Sequence, residues 1–211
     1  MKAVWMNTLA WALAVAAALG LALAAPSEST VMGKLPSIMA KRLDQRPVSL
    51  PQGLTADRTL ALITFNKGQA PVIESWIHGL QLHKDPSIAW LRMPVLEDPG
   101  QAHARSAIEN RLLARYASEG ERARLVPVFT DRAAFIRATG LDGPHAPYAV
   151  VINRNGDVLA RVQGRYDPDK ADILRETSRY DDALRVAESA LAQAQAANDG
   201  WAAAEASLTI A

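Results

Sequence analysis

Four histidines, His78, His83, His103 and His145, are the chain's candidates for proton transfer or metal ligation near neutral pH, and no cysteine accompanies them. His78 and His83 miss the i, i+4 spacing that would set two imidazoles on one helix face, and no HExxH or comparable ligand pattern occurs. Ser75 and Ser106 have neither a nucleophile elbow nor an evident base, so no Ser-His-Asp constellation stands out. Glu97-Asp98, just before Pro99-Gly100, reads as a polar turn rather than a cation site. Without a thiol there is no thiolate nucleophile, which excludes thiol–disulfide exchange and thiol peroxidase chemistry.

The elements that would position these residues alternate along the chain. Arg58 to Phe65 is a continuous apolar run suited to a buried strand. Pro71 to His83 places Val72, Ile73, Trp76, Ile77 and Leu80 on one helical face, with Pro71 in the first turn. Ile88 to Leu96 reads as a second strand, with Pro94 late in it, where an edge position would suit it. Gln101 to Ser118 reads as a helix with Ala104, Ile108, Leu112 and Tyr116 on one stripe, and Arg124 to Phe129 as a third strand. Thr130 or Asp131 caps a short helix ending at Gly140. Tyr148 to Asn153 and Asp157 to Gln163 flank Asn155-Gly156, the strongest short hairpin signal. Asp167-Pro168 opens the last long helix, and a small hairpin is expected from Val48–Leu50 with Gly53-Leu54. The order argues for a mixed sheet covered by helices on both faces. A doubly wound nucleotide binder is disfavoured, because Asn66-Lys67-Gly68-Gln69 has a single glycine and no GxGxxG or P-loop follows.

Composition narrows the class. The chain has 211 residues, 49% hydrophobic and 21% charged, enough for one domain with a substantial core. Its 23 Lys and Arg against 22 Asp and Glu give a net charge of +1, so no global field points to nucleic acid or an anionic membrane. Arg111, Arg115, Glu119, Glu121, Arg122 and Arg124 read as a solvated helix face. At the N-terminus, Lys2, the apolar run Thr8 to Ala24 and the small residues Ala22-Leu23-Ala24 form a secretory signal peptide pattern over residues 1–24. The alternative is an uncleaved membrane anchor at residues 8–24, although the run is slightly short of the ~20 residues a comfortable span needs. A lipoprotein is excluded by the absent cysteine, and residues 25–34 read as a linker.

The layout over residues 35–177 resembles the thioredoxin-like superfamily, in its exported thiol-oxidoreductase and peroxiredoxin-like branch. Three features carry the resemblance: Phe65 ending a buried strand before an amphipathic helix, Ala146-Pro147-Tyr148 before a hairpin, and Asn153-Arg-Asn-Gly-Asp157 followed by Gly164. It implies an α/β three-layer sandwich, a mixed central sheet with helices on both faces, plus a C-terminal helical extension. It also implies a CxxC near Ala70-Pro71-Val72-Ile73 and a cis-proline at Pro147 facing it. Here both sulfur positions are occupied by Ala70 and Ile73. A scaffold without its catalytic centre is the expectation, with no cofactor.

The family's peptide groove needs no sulfur, since backbone beside the cis-proline pairs with an extended partner. On that resemblance Ala70, Ile73, Trp76, His145, Ala146 and Pro147 line or support a binding surface. The competing readings are a filled core at Ala70 and Ile73, core packing for Trp76, a strand-entry role for Pro147 and a surface-loop role for His145. Residues 178–211 resemble part of a tetratricopeptide repeat, with Tyr180, Ala183, Leu184, Ala190 and Trp201 carrying the pattern. That segment packs back on the domain, begins an array, or docks a partner. The reading is an exported, periplasmic, non-catalytic module for a protein or peptide partner in the envelope, with no nucleic acid and with membrane contact only through an uncleaved leader. The alternatives are an enzyme using His145 or a repeat-type scaffold.

Overall fold

The computed structural model of the protein describes residues 31–177. The expected leader and repeat-like segment lie outside the described residues, as does most of the expected linker. Seven strands and five helices follow: β1 (Ile38–Lys41), β2 (Pro47–Leu50), β3 (Arg58–Thr64), α1 (Ala70–Gly79), β4 (Trp90–Glu97), α2 (Ala102–Arg115), α3 (Glu119–Ala123), β5 (Val128–Thr130), α4 (Arg132–Thr139), β6 (Tyr148–Asn153), β7 (Val158–Gln163) and α5 (168–177). The main sheet has the order β5-β4-β3-β6-β7. Its β4 pairs are parallel, with Leu62 opposite Arg92, whereas β3–β6 and β6–β7 are antiparallel. A parallel βαβ half joined to an antiparallel hairpin, with helices on both faces, is the expected thioredoxin-like three-layer arrangement.

The two-residue pleat of the strands sorts the core into two layers. On one face Ala61, Ile63, Met93 and Val150 pack with Phe135 of α4 and Leu50 of β2. On the other, Leu60, Leu62, Trp90 and Ala149 pack with Ile73, Trp76 and Ile77 of α1 and with Ala171 and Leu174 of α5. A register shift between Val151 and Ile152 reverses β7, so Val158 joins the first layer and Ala160 the second.

Four expectations change. The hairpin that includes Val48–Leu50 takes its partner from the preceding residues, with Ile38 opposite Leu50, rather than from Gly53-Leu54. Pro94 lies in an interior strand, not at an edge. Arg92 turns its N–H and C=O toward residues 124–126 at 2.7 and 2.9 Å. Pro94, two residues on, faces the same neighbour, whose ladder with β4 resumes only at Val95 opposite Val128. The proline therefore falls in a gap where no donor is required. The helix expected over 101–118 stops at Arg115. Tyr116 leaves the helical region and Ser118 caps the separate α3, its Oγ accepting from Glu121 N–H at 3.2 Å. Finally, residues 32–35 are tied to the domain: Met32 N–H donates to Val158 O, Lys34 N–H to Ala138 O and Leu35 N–H to Gly156 O.

The local signals behind the remaining elements are visible in the hydrogen bonds. Asp131 accepts from Ala134 N–H at 2.9 Å at the start of α4, and Gly140 ends it at φ 68°. Asn153 Oδ1 accepts from both Asn155 and Asp157 N–H at 2.9 Å, shaping the β6–β7 turn. A side chain on Gly140 would meet Met32 O at 2.1 Å, whereas Gly100, at φ 70°, has open space around it. Gly100→Ala is expected to cost about 1 kcal/mol, the backbone penalty alone. Gly140→Ala should cost clearly more, because it also dislodges residues 32–35. Urea unfolding of the two variants checks the difference.

Candidate functional site

The four residues standing where the resemblance expects a CxxC form the first turn of α1, with Gln69 as its N-cap and Pro71 in the first turn. Ala70 and Ile73 are three apart and share one face. That face borders a cavity of about 300 Å³. β3 contributes Leu62 and Thr64 to its walls, and β4 contributes Arg92, Pro94 and Leu96. Across from them α2 contributes Ile108, Arg111, Leu112 and Arg115. Tyr116 and Leu125 extend the α2 side, while Asn66 and Lys67 close the end beside α1. Half-buried Ala70 and Ile73, itself part of the core layer beneath α1, thus border the cavity from one side.

Arg92 organises this space. It is 5% exposed and lies mid-strand on the face that otherwise carries Leu60, Leu62 and Trp90. A buried guanidinium needs a counter-charge. Glu74, on the second turn of α1, supplies it in a two-pronged ion pair, with Nη2 donating to Oε2 at 3.2 Å and Nη1 to Oε1. Its guanidinium carbon also stands 5.3 Å from the centre of the Tyr116 ring. The Nε of Arg92 is buried without a hydrogen-bond partner. Helix α2 buries none of its residues, although Ile108 and Leu112 face the cavity. Its C-terminal end is held by Arg122, which donates to Tyr116 O at 2.7 Å and Leu113 O at 3.2 Å.

The remaining expected site residues lie elsewhere. Trp76 is completely buried, its indole N–H donating to Gly164 O at 2.8 Å and its ring edge-on to Tyr166 at 5.3 Å. It supports α1 from below and lines no surface. His145 is exposed, Ala146 half-buried and Pro147 buried, and none of them borders the cavity. The cis-proline expectation at Pro147 is corrected: among the described residues the cis bond is Leu50–Pro51, and Ala146–Pro147 is trans. The Pro147 carbonyl accepts from Gly164 N–H at 2.9 Å, so the chain's own β7 end already occupies it.

The link between the two halves of the expected groove is Gln69, which sequence reasoning passed over. It is 6% exposed, accepts from Phe65 N–H at 2.7 Å and donates to Pro144 O at 2.8 Å. Arg92 was also missed. Its signal was available as a lone charge inside the apolar run Trp90-Leu91-Arg92-Met93, which a buried strand carries only when the charge is paired. Arg111 and Arg115 are exposed, as a solvated face requires, but they stand at the cavity mouth.

The other candidate groups are occupied by neighbours. Asp98 pairs with Arg105, at 2.8 Å from Nε, and that hydrogen bond holds its carboxyl below the ordinary value. Ser75 Oγ donates to Val72 O at 2.6 Å and accepts from Tyr166 N–H at 3.0 Å. Burial, reinforced by the charge of Asp142, pushes the Tyr148 phenol above its ordinary value and keeps it protonated. Among the described residues no three His, Asp or Glu side chains come together as a metal site, and no helix is long and apolar enough to cross a membrane.

No protein-family model matches the chain, and no curated protein does. Solved structures do resemble it. A putative electron transfer protein from Aquifex aeolicus VF5 is 12% identical, with a TM-score of 0.49 over 70% of this chain and 97% of that one. BsSco, a member of the Sco family of cytochrome c oxidase assembly proteins, is 15% identical, with a TM-score of 0.48 over 70% and 92%. A putative thiol:disulfide interchange protein DsbE from Chlorobium tepidum is 19% identical, with a TM-score of 0.43 over 69% and 92%. The fold is thioredoxin-like and cysteine-free, by its strand order, its layers and its composition.

Glu74→Gln is expected to cost about 1–3 kcal/mol by urea unfolding, since it leaves the Arg92 donors without their counter-charge. Replacing both partners, Glu74→Leu with Arg92→Met, should return stability to within about 1 kcal/mol of the parent. An unchanged Glu74→Gln variant would mean that Arg92 is solvated.

Proposed function

We propose that this protein is an exported, non-catalytic thioredoxin-like module that binds a protein or peptide partner without thiol chemistry, through the cavity between α1 and α2. The observation that carries the reading is the composition of the cavity wall. It combines apolar side chains with arginines and contains no cysteine, histidine, aspartate or glutamate. A site of that kind can bury an apolar group and attract a negative one, but it offers no carboxylate or imidazole for proton transfer. The reading also rests on the absence of any thiol and on the leader pattern of residues 1–24.

The enzyme alternative built on His145 gains little, because that side chain is exposed and outside the cavity. The repeat-scaffold alternative depends on residues outside those described. The periplasm is the compartment the leader suggests.

The test is a photo-crosslinking residue placed at Ile108 or at His145 in the full chain in its native envelope. One dominant adduct from position 108, lost when Leu112→Trp fills the cavity, is expected. Adducts from position 145 alone, insensitive to Leu112→Trp, would move the binding surface to the Pro147 loop and overturn the proposal.

A further inference from the structure

We propose that the occupant of the α1–α2 cavity is an apolar chain ending in a carboxylate. This rests on reading the cavity as the protein's binding site and adds the chemistry of what enters it. Two features of the wall point the same way. The first is shape and polarity: Leu62, Ile73, Pro94, Ile108 and Leu112 make the cavity mostly apolar, and at about 300 Å³ it matches the small end of ligand pockets. An inorganic anion would leave that apolar volume unfilled, so the ligand must carry hydrocarbon.

The second is unbalanced positive charge. Four cations, Lys67, Arg92, Arg111 and Arg115, border the cavity with no acidic residue among its lining. Glu74 balances Arg92, yet the Arg92 Nε remains buried and unbonded. Lys67, Arg111 and Arg115 enter no ion pair among the described residues. Arg111 and Arg115 are four apart on α2 and therefore project side by side. Guanidinium forks pair with carboxylates through two parallel hydrogen bonds, and an apolar surround strengthens that attraction. A cationic or neutral amphiphile would fill the same volume and leave these donors unused.

A free acyl acid and a polypeptide C-terminus with an apolar last residue share this chemistry. Calorimetric titration of the full chain separates them, with octanoate, octanol, and an acetylated hexapeptide ending in leucine as free acid or amide. The expected result is saturable one-to-one binding of octanoate, of the free-acid peptide, or of both. Octanol or the amide should bind at least tenfold more weakly. Arg111→Gln with Arg115→Gln should weaken carboxylate binding at least tenfold while octanol changes less than twofold and the melting temperature is unchanged. Octanoate without peptide identifies a free acyl acid; peptide without octanoate identifies a chain terminus. Equal binding of octanol and octanoate, indifference to the double variant, or no saturable carboxylate binding overturns the proposal. Carboxylate failure alongside a persistent Leu112→Trp-sensitive adduct sinks this inference and leaves the binding module standing. Octanoate binding without any adduct does the reverse.

Discussion

A guanidinium buried in the middle of a strand is the constraint around which this molecule is arranged. Arg92 sits on the sheet face that elsewhere holds Leu60, Leu62 and Trp90. An isolated charge there would be prohibitive, so a carboxylate must reach it from a neighbouring element. Glu74 does so from α1, one turn beyond the position where the resemblance expects the family's first cysteine. The Tyr116 ring covers the guanidinium from the end of α2. Arg92 and Tyr116 line the space between β3, β4 and α2. That space is the cavity.

The same arrangement surrounds the turn where the resemblance expects a CxxC. Ala70 and Ile73 keep the first turn of α1 apolar where it borders the cavity. Gln69 joins the end of β3 to the loop before β6 by its two hydrogen bonds, so the α1 terminus and the Pro144–Pro147 loop stay together without a disulfide. Trp76 anchors α1 to the end of β7 through Gly164. The scaffold is held by packing and polar stitches, and its cavity is lined from the α2 side rather than by Pro147.

Periodic features were legible in the sequence because they report directly on backbone geometry. The apolar run from Arg58, the alternation in Val158, Ala160 and Val162, the Asp131 cap and the Asn155-Gly156 turn each encode a local conformation. What was not legible depended on neighbours. Pro94 suggested an edge, but the gap in the β5 ladder that accommodates it is set by a distant segment. The partner of β2 precedes it rather than follows it, and local pattern does not distinguish the two. Ala104, Ile108, Leu112 and Tyr116 announced one helical stripe; that Ile108, Leu112 and Tyr116 border a cavity depends on other elements. The cavity is therefore a tertiary consequence that no single motif contains; the lone arginine in the strand signalled only a paired charge.

The most direct measurement is a crystal structure of the protein under xenon pressure. Xenon enters apolar cavities that stay accessible and dry. The account predicts xenon density among Leu62, Ile73, Ile108 and Leu112, removed in a Leu112→Trp crystal. Helix α2 packed down on β3 and β4, with no xenon and no space beneath it, would contradict the account.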